Sequence, residues 1–407
     1  MNRFTAALKL LLMKDASRVL SVMKPEDWNV PDNSSGEVAD APNVLGLSGV
    51  WACVNLLAGT QASLPLMPFI TDSKGARSVA RQHPLYRVLH DSPNSLQTAV
   101  DFWEFMCASI ELWGNAYARK IRSGADTVAL IPIMPQLPQV ANIGNGLLRY
   151  RWAENGKSFD LTSEDVLHIR GFGGNPLGGM STLSFGARAF GLALATDRSA
   201  GATFKNGLRP SGVLTFEKFL TTDQRNDVKD MLSERFLGAM NAGRPMVLEG
   251  GTKWTSLGIN PKDAEMLQSR AFNIEEICRF FGVPPFMIGH TEKTTSWGTG
   301  LEQQTLGFQK FALRRRLKRI EQALEKQLLT PEDRAAGVII EFNIEGLLRG
   351  DSAARSAFYQ SALMNGWMTI NEVRALENMP PVPGGEVPRM QSQNIPITAV
   401  PTALPAP

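Results

Sequence analysis

The four histidines, His83, His90, His168 and His290, are the first side chains to test for chemistry, because imidazole serves both as metal ligand and as acid or base near neutral pH. None stands in the HExxH spacing that sets two imidazoles on one helix face for zinc. His168 alternates with apolar neighbours in a strand-like run and reads as a hydrogen-bonded histidine, not a ligand. Asn155-Gly156-Lys157-Ser158 ends like a phosphate-cradling loop, but that motif needs glycine at position 151, which is Arg. Gly46-Leu47-Ser48-Gly49 begins like a nucleophile elbow, yet Val50 occupies the place of the closing glycine. Cys53, Cys107 and Cys278 are odd in number and widely spaced, which excludes a disulfide framework and a CxxC zinc module; each reads as a small buried hydrophobe.

What remains is polarity and charge. Gly289 to Gly300, GHTEKTTSWGTG, is a threonine- and glycine-rich loop between two helical patterns, with no catalytic signature; it reads as a moving contact surface. Downstream, Arg314, Arg315, Arg316, Lys318 and Arg319 crowd one stretch of helix. Such a run reads as a solvated or ion-pairing face ahead of a phosphate contact.

The elements that position these residues follow from pattern. At 407 residues the chain exceeds the roughly 250 to 300 at which one core stops growing, so two or more packing units are expected. Its 43% hydrophobic and 20% charged residues are ordinary for a globular protein, and a net charge of +3 is too small for a histone-like nucleic-acid binder. The N-terminal MNRFTAALKLLLMKDASRVL has a basic start, but Lys9 interrupts its apolar run and no small-residue cleavage site follows, so it reads as an arm. No apolar run reaches the roughly 18 residues of a membrane-spanning helix.

From Val44 to Arg170 helices and strands mix: SGVWACVNLLA, a helix opened by Thr98 with Asp101 three residues on, then AYARKI, TVALIPIM and DVLHIR as strands. The glycine-dense GFGGNPLGGMS leads into a helix over about Thr182 to Lys205, rich in small residues that allow close packing. Gly207 to Gly258 reads as a compact module: strand GVLTF, a helix begun by Thr221 and Gln224, and strands MVLE and TKWTSL in a hairpin at Gly250-Gly251. Asn260 and Pro261 open the next helix, with Leu267, Ala271, Ile274, Cys278 and Phe281 on one face. A long helix over about Leu301 to Leu328 carries the stripe Leu313, Leu317, Ile320, Leu324 and Leu328. Asp351, and then Thr369 with Glu372, cap two last helices before a Pro-rich tail.

Four long blocks occur together: SGVWACVNLLAGTQASLPL at 48–66, DFWEFMCASIELWGNAYAR at 101–119, PPFMIGHTEKTTSWGTGLEQQTLGFQKF at 284–311 and IEFNIEGLLRGDSAARSAFY at 340–359. In these blocks and their order the chain resembles the HK97-like portal proteins of tailed bacteriophages, from about Pro42 to Asn394. The resemblance implies a multi-domain α+β portal fold: a flexible arm (1–41), an α+β wing (42–181), a stem helix (182–206), a small α/β clip (207–258), a second stem helix (259–283), a tunnel loop (284–300), a long helix returning to the wing (301–350), a helical crown (351–379) and a flexible tail (380–407).

It further implies a homo-oligomeric ring, a dodecamer in the capsid, lodged at one vertex of a virion assembled in the bacterial cytoplasm. Double-stranded DNA passes through it, and terminase large subunit, major capsid protein and head-tail adaptor are its partners. The resemblance also implies no enzymatic activity, no cofactor and no metal. On the same analogy His290, Thr291, Lys293, Thr294, Thr295, Ser296 and Trp297 line the channel, Lys293 with one charge per subunit, the hydroxyls with hydrogen bonds to phosphate, and Trp297 as an anchor against protein. Two alternatives stay open: a metal-dependent DNA-processing enzyme, which needs a converging carboxylate cluster, and a head-tail connector, whose chains are usually shorter and lack the wing.

Overall fold

The computed structural model describes residues 36–71, 77–206, 212–215, 221–223, 226–227, 253–256, 262–291, 299–344, 352–377 and 379–389. They fall into one unit that runs through Phe342 and a second that starts at Asn343.

The first unit opens with a short helix α1 (Ala41–Leu45) and the buried helix α2 (Ser48–Ala62). A brief helix α3 (Pro84–Tyr86) then runs into a π-helical turn at Arg87–Asp91. Helix α4 (Ala99–Trp113) starts at the expected capping box, in which the Thr98 hydroxyl accepts from the Asp101 N–H while the Asp101 carboxylate accepts from the Thr98 N–H. It packs on α2, burying Phe102, Trp103, Met106 and Ile110 against a wall that includes Val50, Cys53 and Leu57. Each large apolar side chain buried there contributes roughly 1.5–3 kcal/mol. The Trp103 indole N–H donates to the Leu89 carbonyl at 3.1 Å, so its polar atom is satisfied inside the core.

Strands β1 (Leu66–Thr71) and β2 (Arg77–Val79) precede α3. After α4 come β3 (Asn115–Ser123), β4 (Asp126–Ile133), β5 (Gln139–Gly144), β6 (Leu147–Glu154), β7 (Lys157–Thr162) and β8 (Val166–Arg170). They make two antiparallel sheets, in the orders β4-β3-β8 and β5-β6-β7. β3, β4 and β8 are the three strands expected here, while β5, β6 and β7 are additional. The two-residue connections Asn145-Gly146 and Asn155-Gly156 have both residues at positive φ, as a type I′ hairpin turn requires. The residues that imitate a phosphate loop are therefore one of these hairpin turns. β6 alternates, with Leu148, Tyr150 and Trp152 turned into a core that also holds Tyr117, Ile133, Val166 and Leu177.

The helix expected over Thr182 to Lys205 is two helices, α5 (Thr182–Phe185) and α6 (Ala187–Asn206). The break falls at Gly186, where a methyl group would meet the Phe190 ring 2.5 Å away. Close packing holds at Gly186 but not at Gly201, where a methyl would meet nothing within 4 Å among the described residues. Strands β9 (Gly212–Thr215) and β10 (Lys253–Ser256) pair antiparallel. Gln224 of the expected Thr221–Gln224 cap, the MVLE strand, the Gly250-Gly251 hairpin, the Asn260-Pro261 helix start and the Asp351 cap lie outside the described residues.

Helix α7 (Lys262–Phe281) buries Asn273, Ile277, Cys278 and Phe281, while Ala271 and Ile274 are half-buried. The long helix is interrupted: α8 (Thr299–Gly307) passes through a π-helical segment, Phe308–Leu313, into α9 (Arg314–Leu328). The expected stripe Leu313, Leu317, Ile320, Leu324 and Leu328 is buried throughout. After α10 (Pro331–Ala335), strand β11 (Val338–Phe342) pairs antiparallel with β1, Leu66 opposite Phe342.

The second unit holds α11 (Ser352–Met364) and α12 (Ile370–Leu376), the latter begun by the expected Thr369–Glu372 capping box. Tyr359 of α11 donates to the carboxylate of Glu377, the C-cap of α12, at 3.0 Å, which ties the two helices together, and Phe358 meets Trp367 of the connecting turn edge-on.

Candidate functional site

The polar loop is framed by α7 on one side and α8 on the other. α7 stops at Gly282, at φ +63°, and Pro284 leads into a single 3-10 turn, Pro285–Ile288, closed by Gly289 at φ +83°. The His290 N–H donates to the Pro285 carbonyl at 3.1 Å, and the ring Nε2 is buried without a hydrogen-bond partner among the described residues. Thr291 is exposed beside it. Lys293, Thr294, Thr295, Ser296 and Trp297 lie outside the described residues, so of the expected channel residues His290 and Thr291 alone are placed, both at the base of the loop.

The end of α7, ahead of the loop, is held by a buried ion pair far apart in sequence. The Arg316 guanidinium donates to both carboxylate oxygens of Glu111, at 2.6 and 3.1 Å, with the two side chains 11% and 9% exposed. The same guanidinium donates to the Phe281 carbonyl at 2.6 Å and to the Ala312 carbonyl at 3.2 Å. Phe281 ends α7, where the last carbonyls have no partner within the helix, and Ala312 lies in the π-helical segment. Arg316 therefore fastens α4, the end of α7 and the start of α9 at one point. A planar fork with five N–H donors can serve a carboxylate and two carbonyls together, which an ammonium could not match in geometry.

The sequence showed the arginine run but not its division of labour. Arg314 and Arg315 are exposed, Arg316 is spent on the clamp, and Arg319 is half-buried. Lys318, exposed, reaches the buried Glu321 of the same helix at 3.1 Å. Glu111 was indistinguishable in sequence from any other helical glutamate.

A second polar centre stitches the sheet to α9. His168 is 1% exposed, as a satisfied core histidine should be: the Tyr150 hydroxyl lies 3.1 Å from Nδ1 and the Asn115 Oδ1 lies 3.0 Å from Nε2. The Asn115 amide nitrogen already donates to the Trp113 and Gly179 carbonyls, so its oxygen accepts and the histidine proton is assigned to Nε2. Burial, then the nearby Arg170, push the His168 pKa well down, and the ring stays neutral. The Gln327 amide of α9 accepts from the His168 N–H and donates to its carbonyl, both at 2.9 Å.

Asn115 also accepts from the Gly179 N–H at 2.8 Å, and the Gly171 N–H donates to the Gly114 carbonyl at 2.7 Å. The glycine-dense turn is thus folded against the end of α4 by close backbone contact. Gly114, at φ +70°, shows why: any Cβ there would collide with the Met180 carbonyl.

All three cysteines are buried free thiols. The structure brings Cys53 and Cys278, remote in sequence, into hydrogen-bonding contact between α2 and α7; that bond and burial push the Cys53 thiol up. Among the described residues no group of three or more His, Cys, Asp or Glu is placed to hold a metal ion, and no helix is long and apolar enough to cross a membrane.

The body mixes helix and sheet, and its buried Arg316–Glu111 pair fastens the end of α7. The phage portal protein family matches residues 48–378, and the chain belongs to that family. It is 38% identical over 375 residues to the portal protein of Enterobacteria phage HK97, covering 90% of this chain and 88% of that one. Among solved structures, a chain from the virion of a native gene transfer agent particle matches with a TM-score of 0.59 at 21% identity, covering 88% of this chain and 98% of that one. A chain from the neck of the native particle computed with C12 symmetry matches with a TM-score of 0.55 at 22% identity, covering 84% and 92%.

Proposed function

We propose that the chain is the subunit of a ring, twelve-membered in the capsid, that forms the channel at one vertex of a phage particle. Double-stranded DNA enters through it during packaging and leaves through it at ejection. The observation that carries this reading is the 38% identity to the HK97 portal protein along 90% of the chain. The C12 symmetry of a neck whose chain shares this fold supports the ring and its number.

In this reading residues 42–181 are the wing toward the major capsid protein, 182–206 and 259–283 the stem, 207–258 the clip that meets the terminase large subunit and later the head-tail adaptor, 284–300 the tunnel loop, and 351–379 the crown. Arg316 fixes the base of the loop while its polar tip is left to meet DNA. Lys293 and the hydroxyls of Thr294, Thr295 and Ser296 then offer weak, repeated phosphate contacts, which guide a duplex without trapping it. The subunit is passive in this scheme, and a separate motor supplies the energy.

Native mass spectrometry of the purified protein, with electron microscopy of the same sample, tests the ring. Rings of about a dozen subunits with a hole wide enough for duplex DNA are expected. A stable monomer or dimer at high concentration overturns the reading. For the loop, Lys293→Ala with His290→Ala is expected to leave rings intact and to change packaged DNA length or retention; unchanged packaging would remove these residues from the channel.

A further inference from the structure

Between the β4-β3-β8 sheet and α9 lies a cavity of about 380 Å³. Lys120 and Arg122 reach it from β3, Arg170 from β8, and Arg319 and Lys326 from α9, against one carboxylate, Glu164. Among the described residues none of these five cations is in an ion pair. Lys120 is 5% exposed, and its ammonium donates to two neutral acceptors, the Ser163 carbonyl at 3.2 Å and the Gln327 carbonyl at 3.3 Å. An ammonium has three N–H donors, so one is left over. The Arg170 Nε is buried with no acceptor at all. A buried ammonium held by two neutral acceptors, with Asp165 and Glu164 near but not ion-paired, and a buried guanidinium Nε with no acceptor converge on one cavity, and an anion that completes both is their common explanation.

We propose that this cavity binds a small polyanion of the phosphate class, its phosphoryl oxygens taken by the Lys120 ammonium and the Arg170 and Arg319 guanidinium groups, with Lys326 at the rim. Five cations against one carboxylate exceed what a single carboxylate ligand neutralises, whereas linked phosphoryl groups match them. The volume is that of a small-molecule pocket and admits no duplex. Arginine forks and a lysine point charge are the usual partners of phosphoryl oxygen. The site includes no residue of the polar loop and does not depend on the portal reading.

The test is thermal unfolding of the full chain with sodium tripolyphosphate, against sodium chloride of equal ionic strength. Wild type is expected to gain several degrees in Tm, as ligand at about 100 times its Kd gives. Lys120→Met is expected to unfold at a higher temperature than wild type without the anion, because a buried unpaired charge is gone, and to lose the tripolyphosphate shift. Lys326→Ala, an exposed change that keeps the fold, is expected to weaken tripolyphosphate binding by about tenfold in calorimetric titration. Absence of a specific shift in wild type, an equal shift in Lys120→Met, unchanged binding in Lys326→Ala, or protection only by a single-stranded oligonucleotide of equal phosphate content would each overturn the assignment.

Discussion

Arg316 and Arg319 stand three residues apart on α9, yet the regions they serve differ in kind. Around Arg316 the charge is matched: one carboxylate is gripped through both oxygens, and two carbonyls, Phe281 at the end of α7 and Ala312, take further N–H groups. Around Arg319 cations prevail: burial first, then Arg315 and Arg316, push its pKa down, and Glu111 opposes them only in part. The first arrangement is complete without anything outside the chain, so it reads as architecture. The second is incomplete, and incompleteness in a buried polar group is what a binding site looks like before its ligand arrives.

The largest way to break this contrast is Glu111→Ala, which leaves the Arg316 guanidinium buried and unpaired. Loss of one partner of a buried pair costs about 3–5 kcal/mol, so urea unfolding should show a marked fall in midpoint. Glu111→Leu with Arg316→Leu together should cost far less than Glu111→Ala alone. A small effect of Glu111→Ala would mean that the pair is not a clamp.

Lys120→Met acts in the opposite direction. Burial, then Arg122, pull the Lys120 pKa down to about 8, against roughly 10.4 for a free lysine. Below pH 8 both folded and unfolded chains carry the proton and the folded state bears the whole penalty. Between about pH 8 and 10.4 the unfolded chain binds more protons, so stability from this group rises with pH. Lys120→Met should therefore add about 1–3 kcal/mol near neutral pH. Compared with it, wild type should gain stability as pH rises from 8 to 10, and denaturant titrations of both proteins across that range read the difference directly.

Thr98→Ala removes one half of the capping box on α4 and is expected to cost about 1 kcal/mol, a conventional helix-end effect against which the two charge effects can be scaled. Smallest of all is Asp160→Asn. Arg149 first, helped by Arg151, holds the Asp160 carboxyl below its usual range, but the group is exposed, and an exposed pair is screened by water and salt. Its Tm should match wild type; a clear loss would show that completion of a pair, and not only its depth in the fold, sets what a charge is worth here.

These effects divide along what a sequence can display. The Thr98–Asp101 and Thr369–Glu372 boxes and the stripe from Leu313 to Leu328 were legible because each is a local pattern, settled within one or a few helical turns. The strands β5, β6 and β7 carried their own signals in two Asn-Gly turns and in the alternation of Leu148, Tyr150 and Trp152, but Lys157-Ser158 drew attention to a phosphate loop instead. The break at Gly186 depends on the Phe190 ring that fills its space, which composition does not show. The clamp and the cavity could not be read at all: Glu111 and Arg316 are 205 residues apart, and nothing local marks Lys120 as the lysine that folding would deprive of water.

β8 has one further property. A strand at the border of a sheet normally exposes a ladder of unused rungs on which another chain can settle, and edge pairing of that kind is how native proteins stick to copies of themselves. At His168 the rung is already taken at both its N–H and its carbonyl by the amide of Gln327, a side chain imitating a backbone. Newly made chains crowded together before assembly thus cannot zip together through β8 at this rung, and contacts elsewhere on the surface are left to decide how one copy meets the next.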